Sequence, residues 1–151
     1  MDPRELQPAE LLGRVLIDVD SSWLLDHSTG VRELMDVWLT FEGLGQIRVH
    51  TLSGLRLHLG PPPDAFDMPD LECSYERGHL APALVGELVG HRVIGVGLLA
   101  ELAGEPFPPG MVLEFESAVL AFVDRGDDLA IGPWPDPDRW RGLSWAGDVR
   151  L

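Results

Sequence analysis

Four basic side chains alternate along two neighbouring segments of the chain and could form one binding surface. They are Arg48, His50, Arg56 and His58, and the residues between them are mostly apolar. If Leu52-Ser53-Gly54 forms a three-residue turn, His50 lies opposite Arg56 and Arg48 opposite His58, with about 5 Å between cross-strand neighbours. Arginine and histidine in this arrangement can hold an anion, a carboxylate substrate or an acidic loop of a partner.

The segment before this hairpin adds further side chains to the same side. Strict alternation from Asp36 onward points Trp38, Thr40 and Glu42 outward. A basic and aromatic surface on so acidic a chain is the most specific local pattern in the sequence. The simpler alternative is a solvated sheet face whose histidines balance neighbouring carboxylates, and we prefer it. The second half of the chain does not repeat the pattern, so it is not part of the scaffold.

Carboxylates gather in two segments that resemble turns. They are Asp64, Asp67, Asp70 and Glu72 in a proline-rich stretch, and Asp124, Asp127 and Asp128 in a later turn. Neither group has the ligand spacing of an EF-hand, and aspartate is an ordinary turn residue. We expect solvated turns that could still serve a basic partner. The partner- or ligand-binding candidates are therefore Trp38, Arg48, His50, Arg56, His58, Asp64, Asp67, Asp70, Asp127 and Asp128.

Motifs for catalysis, metal binding and cofactor binding are missing from the sequence. There is no His-X-X-X-His or Cys-X-X-Cys pair, no Gly-X-Ser-X-Gly, no phosphate-binding loop and no dinucleotide fingerprint. The lone Cys73 has no catalytic surround, and nothing supports a Ser-His-Asp arrangement assembled from distant positions. We therefore predict a protein that is not an enzyme, with no catalytic residue, no metal and no cofactor.

The C-terminal segment, residues 137–151, follows Trp134 and contains Trp140 and Trp145. With Arg139 and its neighbours, these tryptophans could form an aromatic binding hot spot. Tryptophans near a chain end more often hold that end against the core. We expect an irregular arm packed over one sheet face.

Length and composition limit the class of protein. A chain of 151 residues suits one domain, and 45% hydrophobic residues argue against disorder. The net charge of -14 repels nucleic acid and anionic membranes and attracts basic proteins. The apolar runs are too short to span a membrane, the chain does not start like a signal peptide, and Cys73 has no partner for a disulfide. We predict a cytoplasmic location, and the absence of lysine indicates a GC-rich bacterial gene.

Residues 11–64 and 88–136 share the same order of parts. Leu-Leu-Gly-Arg begins the first and Leu-Val-Gly-His the second, Phe-Glu ends the first strand of each hairpin, and both close on Gly-Pro-X-Pro-Asp. We interpret this as an internal duplication joined by a connector, residues 65–87, although two unrelated β-meanders can look alike at this level.

Alternation predicts the fold class. Val37, Leu39 and Phe41 point one way, and the strands that follow continue with period two. The second hairpin, around Ser117-Ala118, is apolar on both faces and needs cover on both, from the tail or from a second copy in a homodimer. We predict a mainly β protein: two duplicated antiparallel β-meanders packed as a sandwich or closed as a small barrel, with one or two short helices.

One resemblance follows from the strand and turn motifs of the second half. Leu-Val-Gly-His-Arg-Val-Ile-Gly-Val (88–96), Leu-Glu-Phe-Glu (113–116) and Asp-Asp-Leu-Ala-Ile-Gly (127–132) resemble small bacterial two-repeat β proteins of uncharacterised function. More loosely, they resemble immunity proteins of polymorphic toxin systems. The resemblance implies a compact binding module and carries over no catalytic residue.

Two functions fit these observations. The first is a protein-interaction module, such as an acidic inhibitor of the immunity type that binds a basic partner by electrostatic steering. The alternative is a β domain that binds a small ligand or anion on the basic face of the first hairpin. An enzyme that uses these histidines ranks third.

Overall fold

The computed structural model describes residues 4–51, 54–61, 66–78, 83–101, 109–125, 128–136 and 138–150. Within these ranges nearly all regular structure is β-strand. The first sheet contains β1 (Glu5–Leu6), β2 (Leu16–Asp26), β3 (Arg32–Phe41), β4 (Gly45–Thr51), β5 (Leu55–Leu59), β6 (Phe66–Met68) and β7 (Cys73–Gly78). The second contains β8 (Val93–Glu101), β9 (Gly110–Phe115), β10 (Val119–Arg125), β11 (Asp128–Pro133) and β12 (Leu143–Arg150).

Both sheets are antiparallel and open, so the fold is a sandwich. Their strand orders are β1-β5-β4-β3-β2-β7-β6 and β11-β10-β9-β8-β12, and neither order closes into a barrel among the described strands. The main core lies between the sheets, where Leu39 and Ile47 of the first meet Leu113 and Phe122 of the second, all fully buried. The predicted mainly β class is confirmed, because alternation leaves one apolar face on each sheet to bury.

The helices are as short as the sequence indicates. A 3₁₀ helix spans Pro8–Leu11, a second spans Pro69–Leu71, and α1 spans Ala83–Gly86. Gly13 and Gly90 follow the first and third of these with φ of 81° and 93°, which favours glycine at both positions. In the described part of the chain, no helix is both long and apolar enough to cross a membrane.

The two halves meet at a short crossover where each hydrogen bond has a counterpart. The Gly13 N–H donates to the Val93 carbonyl at 2.8 Å, and the Gly90 N–H donates to the Leu16 carbonyl at 2.6 Å. Under the sequence alignment of the two halves, Gly13 corresponds to Gly90 and Leu16 to Val93. The crossover therefore has approximate two-fold symmetry.

Equivalent β-bulges flank this crossover. In β2, Ile17 is an extra residue between the pairs formed by Leu16 with Phe41 and Asp18 with Thr40. In β8, Ile94 is the extra residue between the pairs that Val93 and Gly95 form with β9. Because a bulge bends its strand and adds twist, both sheets bend at the same point of the repeat. The halves share these crossover hydrogen bonds and this bulge position, and the duplication itself stays a prediction.

Each half also contains a fifth strand that the sequence did not indicate. β7 pairs with β2, and β12 pairs with β8 at the equivalent edge. The irregular arm expected for residues 137–151 is wrong from Leu143 to Arg150, and part of the expected connector, residues 65–87, also forms strands. Neither segment alternates cleanly in sequence, and the register of β12 shifts between Ala146 and Asp148.

The tail before β12 covers the outer face of the second sheet. Trp140 is 3% exposed and packs in a cluster with Leu99, Val112, Ala121 and Val123. Its indole N–H donates to the Pro133 carbonyl at 2.8 Å. The second hairpin is thus covered on both faces by its own chain, and the homodimer stays an untested prediction.

Two arginines hold Trp140 in this position. The guanidinium groups of Arg125 and Arg139 lie 5.5 Å and 4.8 Å from the centre of its ring, within the range of cation–π attraction. Arg139 Nη2 also donates to the Ile131 carbonyl at 2.7 Å. A Cβ on Gly132 would lie 2.6 Å from Arg139 Nη1, so glycine leaves the room that this guanidinium needs. These contacts favour a structural role for the tail aromatics; the side chain of Trp145 lies outside the described part.

Candidate functional site

Side chains of the first hairpin and of β3 that point away from the main core form a largely polar cluster, which we call the hairpin face. Its strands pair Arg48 with His58 and His50 with Arg56, the register expected from the sequence. On the other side of β4, Trp38 is the partner of Arg48. The hairpin face comprises Asp36, Trp38, Arg48, His50, Arg56 and His58, with Glu5 of β1 opposite His58.

The two histidines contact each other directly. His50 Nε2 and His58 Nδ1 are 2.7 Å apart, so one ring donates an N–H to the other. Burial lowers the pKa of His50 to about 4, and the positive charges of Arg48, His58 and Arg56 act in the same direction. His50 is 8% exposed, and it is therefore neutral at pH 7.

Asp36 forms an ion pair with Arg48. Arg48 Nη2 donates to Asp36 Oδ2 at 3.3 Å, and Ser22 Oγ donates to the same oxygen at 3.3 Å. The Asp36 carboxylate is 5% exposed, whereas 45% of the Arg48 side chain remains exposed. Burial raises the pKa of Asp36 above its ordinary value, while Arg48, Ser22 and Tyr75 act to lower it.

Glu5 neutralises the second arginine in a more exposed place. Arg56 Nη1 donates to Glu5 Oε1 at 2.7 Å. The Glu5 side chain is 44% exposed and the Arg56 side chain 22%. The hydrogen bond from Arg56 lowers the pKa of Glu5, so the pair is ionic at neutral pH.

These contacts change the charge of the hairpin face from the one its sequence indicates. Arg48 and Arg56 each have a carboxylate partner, and His50 is neutral. The hairpin face, which the sequence indicates to be basic, therefore has a net charge close to zero in the folded protein. Fewer positive charges remain for a free anion than the four basic side chains suggest.

The other predicted binding residues are scattered. Trp38 is 1% exposed and lies too deep to contact a partner. Asp70 and Asp128 are exposed, in the second 3₁₀ helix and at the start of β11. Asp67 lies in β6 with its side chain outside the described part. Asp64 and Asp127 lie outside the described residues.

One member of the acidic clusters has a structural contact. Asp124 Oδ2 accepts a hydrogen bond from the Gly54 N–H at 2.9 Å, which ties the end of β10 to the turn of the first hairpin. Among the described residues, no group of three or more His, Cys, Asp and Glu side chains is arranged to hold a metal ion.

Sequence reasoning missed two carboxylates of the site. Asp36 and Trp38 are two residues apart in β3, so alternation alone could have placed Asp36 on the hairpin face with Trp38. Glu5 carried no such signal, because β1 is two residues long and its pairing with β5 joins distant parts of the chain.

Comparisons with known proteins add nothing to this geometry. No family model, no curated protein and no solved structure matches the chain.

Proposed function

We propose that this protein is a non-enzymatic interaction module that binds a basic protein partner, in the manner of an acidic inhibitor of the immunity type. The net charge of -14 supports the proposal, because it attracts basic proteins and repels nucleic acid and anionic membranes. The ion pairs of the hairpin face support it further. They neutralise two arginines, one with the buried Asp36 and one with the exposed Glu5, and leave other carboxylates exposed.

The observation that carries the proposal is an exposed apolar pair at the crossover. Ile17 is 50% exposed and Val89 is 42% exposed. Ile17 follows Leu16 and Val89 precedes Gly90 in the chain, and the Gly90 N–H donates a hydrogen bond to the Leu16 carbonyl. Isolated surface hydrophobics need no explanation, but two at one junction with acidic neighbours resemble the apolar centre and polar rim of a protein interface.

Four exposed carboxylates lie at the same crossover. Two are close to the apolar pair in sequence, and the other two take part in hydrogen bonds at the crossover. The Glu42 N–H donates to the Val15 carbonyl, and the side-chain Oε1 of Glu116 accepts from the Arg92 N–H. We call this set the crossover surface: Ile17, Asp18, Glu42, Glu87, Val89 and Glu116. A basic partner would be steered by the carboxylates and held by burial of the two apolar side chains.

The experiment compares two variants with the same net charge. In the first, the crossover carboxylates are neutralised as Asp18→Asn, Glu42→Gln, Glu87→Gln and Glu116→Gln. In the second variant, four exposed carboxylates away from the crossover are neutralised as Glu33→Gln, Asp70→Asn, Asp128→Asn and Asp138→Asn. Asp70 and Asp128 belong to the acidic turns, so this control also decides between those turns and the crossover surface. Tagged protein is incubated with host lysate at about 0.05 M and about 0.5 M salt, a range over which exposed charges become screened.

We expect the unaltered protein to retain a specific basic protein at low salt and to lose most of it at high salt. The crossover variant should retain at least about tenfold less of that protein, whereas the control should lose about threefold or less, since the contact is local. Equal loss in both variants would leave only a bulk charge effect and would contradict the proposed surface. Retention of no specific protein would contradict the function itself.

A further inference from the structure

The two histidines of the hairpin face present ring nitrogens to each other across neighbouring strands. His50 Nε2 and His58 Nδ1 are 2.7 Å apart, and the centres of the two rings are 4.9 Å apart. His50 lies in β4 and His58 in β5, on the side that points away from the main core. Two imidazole nitrogens that meet in this way can hold a metal ion as well as a shared proton.

The distance between these nitrogens matches one coordination geometry. A metal–nitrogen bond is about 2.0 Å long, so two neighbouring ligands lie about 2.8 Å apart around a square-planar ion and about 3.3 Å apart around a tetrahedral ion. The observed separation of 2.7 Å is close to the square-planar value. Square-planar or tetragonal ligation by nitrogen and oxygen is typical of Cu²⁺ and Ni²⁺, and Cu²⁺ binds more tightly of the two.

Glu5 is the carboxylate that can complete the pair. It lies opposite His58 where β1 pairs with β5, and cross-strand neighbours are about 5 Å apart. The hydrogen bond from Arg56 is the main cause that lowers the pKa of Glu5, and positive charge on His58 or His50 lowers it further, because both rings are close to the carboxylate. Glu5 bonds Arg56 in the structure, so only the two histidines already meet.

The Glu5 carboxylate can turn from Arg56 toward the histidines without a change in the core. Its side chain is 44% exposed, and it belongs to a strand of two residues. Glu5 and Arg56 also border a cavity of about 260 Å³, which gives the carboxylate room to move. Exposed ion pairs contribute little to stability. Arg56 has a further interaction besides Glu5, so this guanidinium is not isolated when Glu5 turns away.

We propose that His50 Nε2, His58 Nδ1 and Glu5 bind a divalent transition-metal ion, with Cu²⁺ preferred and water in the remaining positions. One imidazole donates its N–H to the other in the structure. When both rings ligate, that proton moves to the second nitrogen of the same ring. Each ring then offers a lone pair and stays neutral, and Glu5 is already ionised, so ligation releases no proton.

The charges around the site permit a cation. Asp36 neutralises Arg48, the other arginine of the hairpin face. Burial is the main cause that lowers the pKa of His50 and keeps its ring neutral at pH 7, which is the form that binds metal. The net charge of -14 attracts cations to the protein as a whole. The three ligands lie on three strands and form no local motif, and none of them belongs to the crossover surface.

The test uses the full chain without a polyhistidine tag, treated with EDTA and then freed of it, and Cu²⁺ as the probe. Isothermal titration calorimetry with glycine as a competing chelator measures the dissociation constant, and electron paramagnetic resonance counts the nitrogen ligands. We expect one tightly bound Cu²⁺ per chain with two imidazole nitrogens. Zn²⁺ should bind at least about tenfold more weakly, as the order of divalent-metal affinities requires.

Substitutions of the ligands and of two other histidines locate the site. His50→Gln and His58→Gln should each weaken Cu²⁺ binding at least about tenfold and remove a nitrogen from the spectrum, because even residues around a ligand change affinity by about 10- to 100-fold. Glu5→Gln should weaken binding by about three- to tenfold and leave two nitrogens. His27→Gln, in an exposed turn, and His91→Gln, at a ring bonded to Ser117, should change affinity by less than about twofold.

Four results would overturn the proposal. They are no tight Cu²⁺ site, a spectrum without imidazole nitrogens, equal losses in the His27 and His58 variants, or unchanged affinity in Glu5→Gln. If His50→Gln fails to fold, His58→Gln and Glu5→Gln still decide it. His58 is half-buried and Glu5 is exposed, so neither substitution removes a side chain from the main core.

Discussion

The outer faces of the two sheets differ although the strands behind them follow one plan. On the first sheet the outer face carries Asp36, Arg48 and His50, which neutralise or bond to one another or to their neighbours. On the second sheet the equivalent face is apolar, and Trp140 of the tail covers it. The crossover hydrogen bonds and the bulges at Ile17 and Ile94 are equivalent in both.

This comparison separates what the backbone plan decides from what the side chains decide. The plan determines strand order, bulge positions and the two inner faces of the core. The outward side chains determine whether a sheet is covered by the tail or retains a polar face with a cavity at its edge. The difference between the halves is therefore concentrated on their outer faces.

The largest expected effect tests the cover of the second sheet. Trp140→Ala should lower the free energy of unfolding by about 3 to 5 kcal/mol, the range for truncating a buried aromatic side chain. Urea unfolding followed by far-UV circular dichroism measures this. Arg141→Ala, at a side chain that is 83% exposed, is the control and should stay within about 0.5 kcal/mol. If Trp140→Ala lowers the free energy of unfolding by less than about 1 kcal/mol, the second sheet does not need the tail to cover its outer face.

A smaller effect, in pH dependence, tests the polar face of the first sheet. The pKa of His50 is about 4 in the folded protein against an ordinary 6.5, so between these values the unfolded chain binds more protons. Its contribution to stability is complete above pH 6.5 and is lost as the pH falls toward 4. Because solvent reaches part of the histidine pair, we expect a loss of only about 1 kcal/mol between pH 7.5 and pH 5.

The measurement is the free energy of unfolding at pH 7.5, 6 and 5 in the native protein and in His50→Gln. The loss with acid should shrink in the variant, whereas His27→Gln, at an exposed turn, should leave it unchanged. Asp36 has a raised pKa and opposes the trend at lower pH, which is why the comparison stops at pH 5. An identical pH profile in His50→Gln would show that burial of this ring does not control the dependence.

The smallest expected effect tests the equivalence of the two halves. Gly13 and Gly90 have φ of 81° and 93°, where a Cβ costs about 1 kcal/mol. Gly13→Ala and Gly90→Ala should therefore lower the unfolding free energy by similar amounts. Gly86→Ala, in α1 and without a positive φ, should cause no loss. A difference above about 1 kcal/mol between the two crossover variants would contradict the shared plan.

Much of the fold and part of the site could be predicted from local pattern. Alternation from Val37 to Phe41 placed one face of β3 in the core, and the turn length after Thr51 predicted the pairing of Arg48 with His58. β12 could not be predicted in this way. Its eight residues alternate poorly, and its position depends on the free edge of β8, which no local pattern describes.

The net charge of the hairpin face could not be predicted from the sequence for a related reason. Arg48, His50, Arg56 and His58 could be assigned to one face, yet whether that face is basic depends on carboxylates from β1 and β3. Glu5 reaches Arg56 only because β1 pairs with β5. The alternation of β3 is enough to place Asp36 on the hairpin face, but it does not indicate that Asp36 is only 3% exposed.

The sequence by itself determined the strands, turns and inward faces of the two hairpins, since these depend on the period of apolar residues and on glycine or proline at turns. The tertiary structure alone decided which carboxylate neutralises each arginine, that the tail covers the second sheet, and that a cavity remains beside Arg56. Each of these depends on contacts between residues distant in the chain. Charge and burial are properties of such neighbours in space, which a pattern along the sequence does not contain.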